Sequence, residues 1–227
     1  MATNIRKQFT ATSILHTVQQ MFDEEIRIFQ TYIIEGASQF ETKAAELNRL
    51  YLQHIEEEWR YALDDELMKN AEYHPKILNS SVLITLQTLM EKTLLQTIRR
   101  AAGIFNQSVS IRQTRDLENM LGTLEQKFNV QIPAKERAQL DDFRKIRNFF
   151  VHYGGNLFNE RRTDKKQEIE RIVENDDRLI LNTHTGELII YDNQYLLSYS
   201  AAIQKFCNDI LFQLIAQHNM ILKSAKT

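Results

Sequence analysis

The spacing of apolar residues along the chain is helical over most of its length. Apolar side chains recur every three or four positions over 14–34 and again over 40–62, the spacing that places them on one face of a helix. A polar lead-in, residues 1–12, precedes the first stretch, and Gly36 lies between the two as a predicted helix end. Residues 13–69 are therefore predicted to form a pair of long antiparallel helices. A coiled-coil surface is the alternative, but the irregular spacing and the aromatic residues favour a globular core.

Beyond residue 69 the same spacing predicts further helices and one strand pair. The pattern breaks at His74-Pro75, because proline cannot continue a helix interior. Later in the chain it changes to the alternation of strands on either side of Gly186, which predicts a β-hairpin. The elements predicted after the break are helices over 80–103, 115–128 and 133–155, a solvated charged helix within 159–177, a β-hairpin over 178–191 and a C-terminal helix over 192–222.

Composition also favours a mostly helical fold. The chain has only 2 prolines and 6 glycines among 227 residues, and these two residue types most disfavour helix interiors. We predict the all-α class, as a single helical domain over 1–227 with a small β-hairpin inserted before the last helix. Lys and Arg total 28 against 30 for Asp and Glu, so no overall positive field would hold nucleic acid. Any RNA contact therefore requires a local patch.

Several function classes have little support in the sequence. No stretch approaches the ~18 uninterrupted apolar residues of a membrane span, and the N-terminus lacks the apolar run of a signal peptide. We therefore expect a soluble, cytoplasmic protein with no membrane association. The histidines are scattered without ligand-like pairing, and the lone Cys207 is typical of a packed core thiol. We expect no metal site and no cofactor.

The helix predicted over 133–155 contains the residues best suited to chemistry. One of its faces is apolar, whereas Asn148 and His152 share the polar face. Gly154-Gly155 is predicted to end the helix, because glycine readily takes the left-handed conformation of a helix terminus, and His152 then lies in the last turn. Arg147 falls in the apolar sector, where a charge is costly unless it is paired. We therefore expect a group that meets this guanidinium.

The segment Arg147-Asn148-Phe149-Phe150-Val151-His152 resembles the Arg-Asn-x3-His motif of HEPN domains. These are small all-helical domains, named for their occurrence in higher eukaryotes and prokaryotes, and many act as ribonucleases. The resemblance implies a HEPN-like helical bundle and a homodimer with a composite active site. It also implies metal-independent RNA cleavage that leaves a 2′,3′-cyclic phosphate and a 5′-hydroxyl. A toxin or anti-phage defence role, with an antitoxin or other regulatory partner, is implied in the same way.

The motif side chains suit RNA cleavage by the neighbouring 2′-hydroxyl. The ordinary pKa of an imidazole, about 6.5, suits His152 to proton transfer at neutral pH. Arg147 keeps its charge and offers planar donors to phosphate oxygens, and Asn148 can orient the imidazole or the phosphate. One copy supplies only one imidazole, so a two-fold dimer would supply both acid and base. In the structural alternative Arg147 pairs with a buried carboxylate, while the other two residues cap the helix end.

Five other residues are weaker candidates for contacts with RNA. Arg144, Lys145 and Tyr153 belong to the motif helix, and Arg161 and Arg162 follow it closely. The alternative for the basic ones is a solvated surface on which they pair with neighbouring carboxylates. For the whole chain, the second hypothesis is a noncatalytic helical module that binds RNA, a nucleotide or a protein.

Overall fold

The computed structural model describes residues 2–53 and 57–224, with side chains described over 12–53 and 61–224. Most of these residues are helical, and one two-stranded antiparallel sheet precedes the C-terminal helix, which confirms the predicted all-α class. The helices are α1 (Ala2–Gln53), α2 (Glu57–Met68), α3 (His74–Ile104), α4 (Leu117–Phe128), α5 (Ala134–Tyr153), α6 (Thr163–Glu174) and α7 (Gln194–Ser224). The strands are β1 (Leu179–Leu181) and β2 (Leu188–Ile190). In the described ranges no helix is both long enough and apolar enough to cross a membrane.

Helix α1 continues without a break through Gly36. The predicted helix end at this residue is therefore wrong, and the chain does not reverse there to form the antiparallel pair predicted for 13–69. A Cβ built on Gly36 would lie only 2.8 Å from Leu78 Cδ2. Glycine serves here for close packing against a neighbouring helix, at the cost of about 1 kcal/mol in helix propensity, rather than for a turn.

The beginning of α1 also differs from the prediction. The polar lead-in over 1–12 was expected to precede the helix, but α1 begins at Ala2. No glycine or proline interrupts this stretch, so its polar residues extend the helix rather than delay it. In the second predicted helix, Ile55 and the side chain of Trp59 lie outside the described residues.

At His74-Pro75 the chain changes from a π-helix to an α-helix, and its backbone stays helical. A π-helical turn occupies Lys69–Tyr73, and His74 has φ −66° and ψ −43°, within the right-handed helical region. The ring of Phe40 stacks on the His74 ring at a centroid distance of 5.7 Å. Pro75 lies two residues after this π-helical turn, at the second position of α3. The predicted helix start at residue 80 is therefore wrong, and α3 begins at His74.

Contacts divide the chain into two compact units. The first unit comprises Met1–Arg27, Leu86–Asp141 and Ser200–Thr227, and the second comprises Ile28–Thr85 and Asp142–Tyr199. In the first unit Asp23 Oδ1 accepts hydrogen bonds from the side chains of Gln204 (2.7 Å) and Asn208 (2.9 Å). Cys207 is buried there, as predicted for a core thiol, and burial raises the pKa of that thiol. The single domain over 1–227 stays a prediction.

The second unit has an aromatic core that anchors the motif helix. The Phe143 ring of α5 stacks on Tyr199 at 4.2 Å and meets the edge of Tyr195 at 5.4 Å. Both tyrosines are fully buried, and the guanidinium of Arg178 lies 5.6 Å from the Tyr195 ring centre. Arg178 in turn donates to both carboxylate oxygens of Asp176, at 2.7 and 2.6 Å. This packing fixes the second unit's part of α5 from one side.

The predicted β-hairpin is confirmed and belongs to the second unit. Its register pairs Leu179 with Ile190, and Gly186 has φ +73° at the turn. Asn79 Nδ2 donates to the carbonyl of Ile190 at 3.2 Å, so α3 contacts one strand of the hairpin. Lys76, one turn earlier, pairs with Glu187 at 2.6 Å. The hairpin is thereby attached to the start of α3.

Candidate active site

The C-terminal end of α5 is set by two glycines. The helix ends at Tyr153, and Gly154 and Gly155 have φ +61° and +71°. A Cβ on Gly155 would lie 2.7 Å from Phe150 Cε1, so the second glycine also allows the chain to cross closely over an aromatic ring. These residues end the helix where the sequence predicts, and His152 lies in the last turn.

His152 is exposed to solvent at this helix end. Its described ring contact is with Tyr153, at a centroid distance of 6.3 Å and an interplanar angle of 67°. Ile146 and Phe150, on the opposite face of the same helix, are buried. The imidazole is therefore accessible to a ligand rather than packed inside its own unit.

Arg147 is half-buried and meets an amide rather than a carboxylate. Its Nη1 donates to Asn148 Oδ1 at 2.8 Å. Its Nε is buried and has no hydrogen-bond partner. Among the described residues no carboxylate pairs with this guanidinium, so the buried-carboxylate alternative finds no support in this part of the chain. The guanidinium keeps its positive charge, and its buried Nε is a donor whose missing partner lowers stability.

Asn148 therefore orients Arg147, not His152. It lies one helical turn before the histidine, but its side-chain oxygen accepts the bond from Arg147. Among the hydrogen bonds of the described residues, none joins Asn148 to His152. The structure thus brings two of the three predicted catalytic residues into direct contact and leaves the imidazole without a hydrogen-bonded orienting group.

The cations among the weaker RNA-binding candidates differ in their contacts with carboxylates. Arg162 makes a two-point contact with Asp164, at 3.2 and 2.6 Å, and Lys145 lies 3.2 Å from Glu168. Arg144 lies half-buried on α5. Arg161 is exposed, and its guanidinium has no partner among the residues described. Of the cations that follow the motif in the sequence prediction, Arg161 is therefore the more available one.

A buried glutamate close to the motif was missed by the sequence argument. Glu160 is only 3% exposed, and its Oε1 accepts from the backbone N–H of Arg162 at 2.9 Å. The Tyr153 hydroxyl is the main reason why the pKa of the Glu160 carboxyl lies below its ordinary value, and Glu160 Oε2 itself is buried without a hydrogen-bond partner among the described residues. The Lys165 Nζ lies 4.0 Å from Glu160 Oε2 and 5.9 Å from the centre of the Tyr153 ring. Nothing in the alternation of charges over 159–166 distinguishes this carboxylate from its solvated neighbours.

Residues 156–160, here called the docked loop, fold back onto the end of α5. The carbonyl of Tyr153 accepts from the backbone N–H of Asn156 at 3.1 Å and from Asn159 Nδ2 at 3.0 Å. On its other side the loop is held by the hairpin turn, since Leu157 N donates to Gly186 O at 2.7 Å. Asn156 Nδ2 also donates to Thr185 O at 3.0 Å. The hairpin, which had no predicted role, supports the loop next to the motif.

The first unit contains a separate groove of about 250 Å³. It is lined by Gln131, Ile132, Pro133, Glu136, Phe206, Asp209, Ile210, Phe212 and Gln213. Both of its carboxylates pair with Lys205, and none of its residues belongs to the motif. Within the described ranges no group of three or more His, Cys, Asp or Glu side chains is placed to hold a metal ion. The predicted catalytic residues Arg147, Asn148 and His152 lie on α5 outside this groove.

Comparisons of the chain with protein-family models, with curated proteins and with solved structures find no match. The resemblance to HEPN domains thus depends on the motif residues and their position at a helix end. Function has to be argued from the chemistry of this site.

Proposed function

We propose that this protein is a metal-independent RNA endonuclease of the HEPN type. The observation that carries the proposal is an exposed His152 at the end of a helix on which Arg147 keeps its charge uncompensated by any described carboxylate. An accessible imidazole and an available guanidinium are the two groups that RNA cleavage by the internal 2′-hydroxyl requires from the enzyme. The proposal rests on these residues and on the motif resemblance.

In the proposed reaction RNA supplies its own nucleophile. A base removes the proton of the 2′-hydroxyl, whose oxygen attacks the adjacent phosphorus and forms a pentacoordinate phosphorane. The bond from phosphorus to the 5′-oxygen then breaks, and an acid protonates the departing oxygen. The products are a 2′,3′-cyclic phosphate and a 5′-hydroxyl. His152 acts as general acid or base, and Arg147, oriented by Asn148, stabilises the charge that develops on the phosphorane.

A homodimer completes the proposed site. Base and acid are both needed, and each copy contributes one imidazole at this position. A two-fold arrangement of the α5 ends would place the second His152 across the same phosphate. The resemblance adds a biological role as a toxin or anti-phage effector restrained by an antitoxin or another regulatory partner.

The alternative is a noncatalytic module that binds RNA, a nucleotide or a protein. The pairing of Arg147 with Asn148 favours it as a second candidate, because a guanidinium held by an amide can bind an anionic group without any proton transfer. In that case substitution of Arg147 weakens binding, whereas substitution of His152 has little effect.

The test is to incubate purified protein with total RNA in excess EDTA. Wild type should cleave RNA to fragments with 2′,3′-cyclic phosphate ends, identified by mass spectrometry. His152→Ala should lower the rate roughly 10²- to 10⁴-fold, the usual contribution of a general acid or base. His16→Ala, which removes an exposed histidine from α1, is the matched control and should cleave normally.

Two results would contradict the proposal. Equal cleavage by wild type and by His152→Ala would remove the assigned site. Loss of cleavage in EDTA that magnesium restores would remove the metal-independent mechanism.

A further inference from the structure

Phe158 is a large aromatic side chain that is exposed and yet held in place. It lies on the docked loop with 61% of its surface exposed. Its backbone N–H donates to Asn156 Oδ1 at 2.8 Å. A Cβ built on Gly186 would lie 2.9 Å from Phe158 Cγ and Cδ2, so the ring lies directly against the backbone of the hairpin turn. Part of the ring is thus supported by the protein, while the rest faces solvent.

The loop that carries this ring is attached to the end of α5, because the neighbouring residue Asn159 hydrogen-bonds to Tyr153 there. The Asn159 side chain donates to the carbonyl of Tyr153, the residue that follows His152. On the other side of Phe158, the backbone N–H of Asn156 donates to the same carbonyl. The ring is therefore carried by a segment that is fixed to the helix end on both sides.

Cationic residues follow Phe158 closely in the chain. Arg161 is exposed, and neither its side chain nor that of Lys166 has a partner in the part of the chain that the structure describes. Lys165 lies over the Tyr153 ring. A protein partner would require a contiguous apolar patch, which the charged neighbours of this ring do not form. An exposed aromatic ring that is followed in the chain by the available cations Arg161 and Lys166 suits a polyanion that carries flat rings of its own.

We infer that Phe158 is a stacking platform for a nucleobase of single-stranded RNA. The position of this base next to the phosphate at Arg147 and His152 rests on the proposed function. Bases in a duplex are covered by their neighbours, whereas an unpaired base can place its face on an exposed ring. The substrate class is therefore unpaired RNA, and the hairpin serves to hold the platform beside the site.

The experiment measures binding of a fluorescein-labelled oligodeoxyuridylate by anisotropy. This probe lacks the 2′-hydroxyl and cannot be cleaved by the proposed reaction, but it keeps its bases. Phe158→Ala should weaken binding roughly tenfold or more, and Phe158→Trp should restore it because a ring is again present. Phe212→Ala, which removes a phenylalanine that is 72% exposed on α7, should bind like wild type. An abasic oligomer of the same length should bind wild type and Phe158→Ala equally.

The remaining outcomes would overturn the inference. Unchanged oligodeoxyuridylate binding by Phe158→Ala would do so, while the proposed function would stand if the wild type still cleaved total RNA. If Phe158→Ala weakened binding of the abasic oligomer as much as binding of the oligodeoxyuridylate, the ring would support the fold and would not contact a base. Failure of the wild type both to bind the oligomer and to cleave RNA would remove the inference together with the proposed function.

Discussion

An arginine lies near each end of α5, and the two have different partners. Near the start of the helix, Arg137 Nη2 lies 2.6 Å from Glu118, and its Nη1 lies 3.2 Å from Glu125. Near the end, Arg147 donates to the side-chain oxygen of Asn148, its neighbour in sequence. The first guanidinium is compensated by two carboxylates, whereas the second is oriented by an amide that leaves its charge in place.

The difference separates an arginine whose donors are occupied by carboxylates from one that we propose binds an anion. A partly exposed arginine–carboxylate pair typically contributes ~0.2–1 kcal/mol to stability, and its donors are then occupied. Arg147 has a buried Nε without a partner, an arrangement that lowers stability rather than raises it. We propose that the accessible part of this half-buried guanidinium uses its charge to bind an anion. Its place five residues before an exposed His152 is consistent with a phosphate of RNA in that role.

Substitution of Arg147 should change the rate of RNA cleavage more than any other substitution discussed below. Arg147→Ala should lower the rate of RNA cleavage roughly 10²- to 10³-fold, the usual loss when a donor to a charged transition state is removed. Its free energy of unfolding should change by less than about 1 kcal/mol, because no carboxylate is left unpaired. Gel-based cleavage rates and urea unfolding measure the two quantities. Arg137→Ala is the matched control and should cleave RNA normally; equal activity of the two variants would contradict the distinction.

The second prediction concerns a variant in which Arg147 gains a carboxylate partner, as Arg137 has. Asn148→Asp places a carboxylate on Arg147, as Glu118 does on Arg137. The pair should raise the free energy of unfolding by up to about 1 kcal/mol and lower cleavage by about tenfold, because the guanidinium is then neutralised before RNA binds. Asn106→Asp, at an exposed position outside the site, controls for the added negative charge. An Asn148→Asp enzyme with undiminished cleavage would show that the charge of Arg147 is not used.

Much of the fold follows from patterns that act over a few residues. The glycines Gly154 and Gly155 end α5 through their own backbone conformations, and the turn at Gly186 is fixed by its φ of +73°. These features are local, so the sequence is sufficient to predict them. The motif residues Arg147 and His152 are likewise placed by helical periodicity alone.

The features that the sequence did not predict depend on contacts between distant residues. Gly36 has the same chemistry as Gly154, and only the approach of Leu78 shows that it belongs inside a helix. Glu160 is one charge among many in the sequence, and its burial depends on the fold of the docked loop. A group that meets Arg147 was predicted without being identified, and Asn148, its immediate neighbour, supplies it.

The third prediction concerns stability at the start of α5. Arg137→Ala should lower the free energy of unfolding by about 0.5–1 kcal/mol, because Glu118 and Glu125 both lose their partner. Urea unfolding followed by circular dichroism gives the value, and added salt should reduce the difference from wild type. Arg100→Ala removes an exposed arginine of α3 without a described partner and should be close to neutral. A similar loss in both variants would mean that the pairs of Arg137 are not the cause.

The smallest change in stability at neutral pH is expected for substitution of Glu160. This carboxylate lies on the docked loop and does not pair with Arg147. Glu160→Gln keeps the shape of the side chain and an acceptor oxygen for the Arg162 N–H, but it removes the charge. The pKa of the Glu160 carboxyl is lower in the folded protein than its ordinary value, chiefly because of the Tyr153 hydroxyl. Such a group stabilises the fold above its unfolded pKa, and the contribution is lost as the pH falls through its folded pKa.

Wild type should therefore be more stable than Glu160→Gln at neutral pH, and the difference should narrow as the pH falls below the ordinary pKa of a glutamate, because both side chains are then uncharged. Urea unfolding at a series of pH values measures this difference. Glu174→Gln, at an exposed carboxylate at the end of α6, is the matched control for the loss of one negative charge. Parallel stability curves for wild type and Glu160→Gln down to acid pH would contradict the prediction, because they would mean that the pKa of the Glu160 carboxyl is the same in the folded and the unfolded protein.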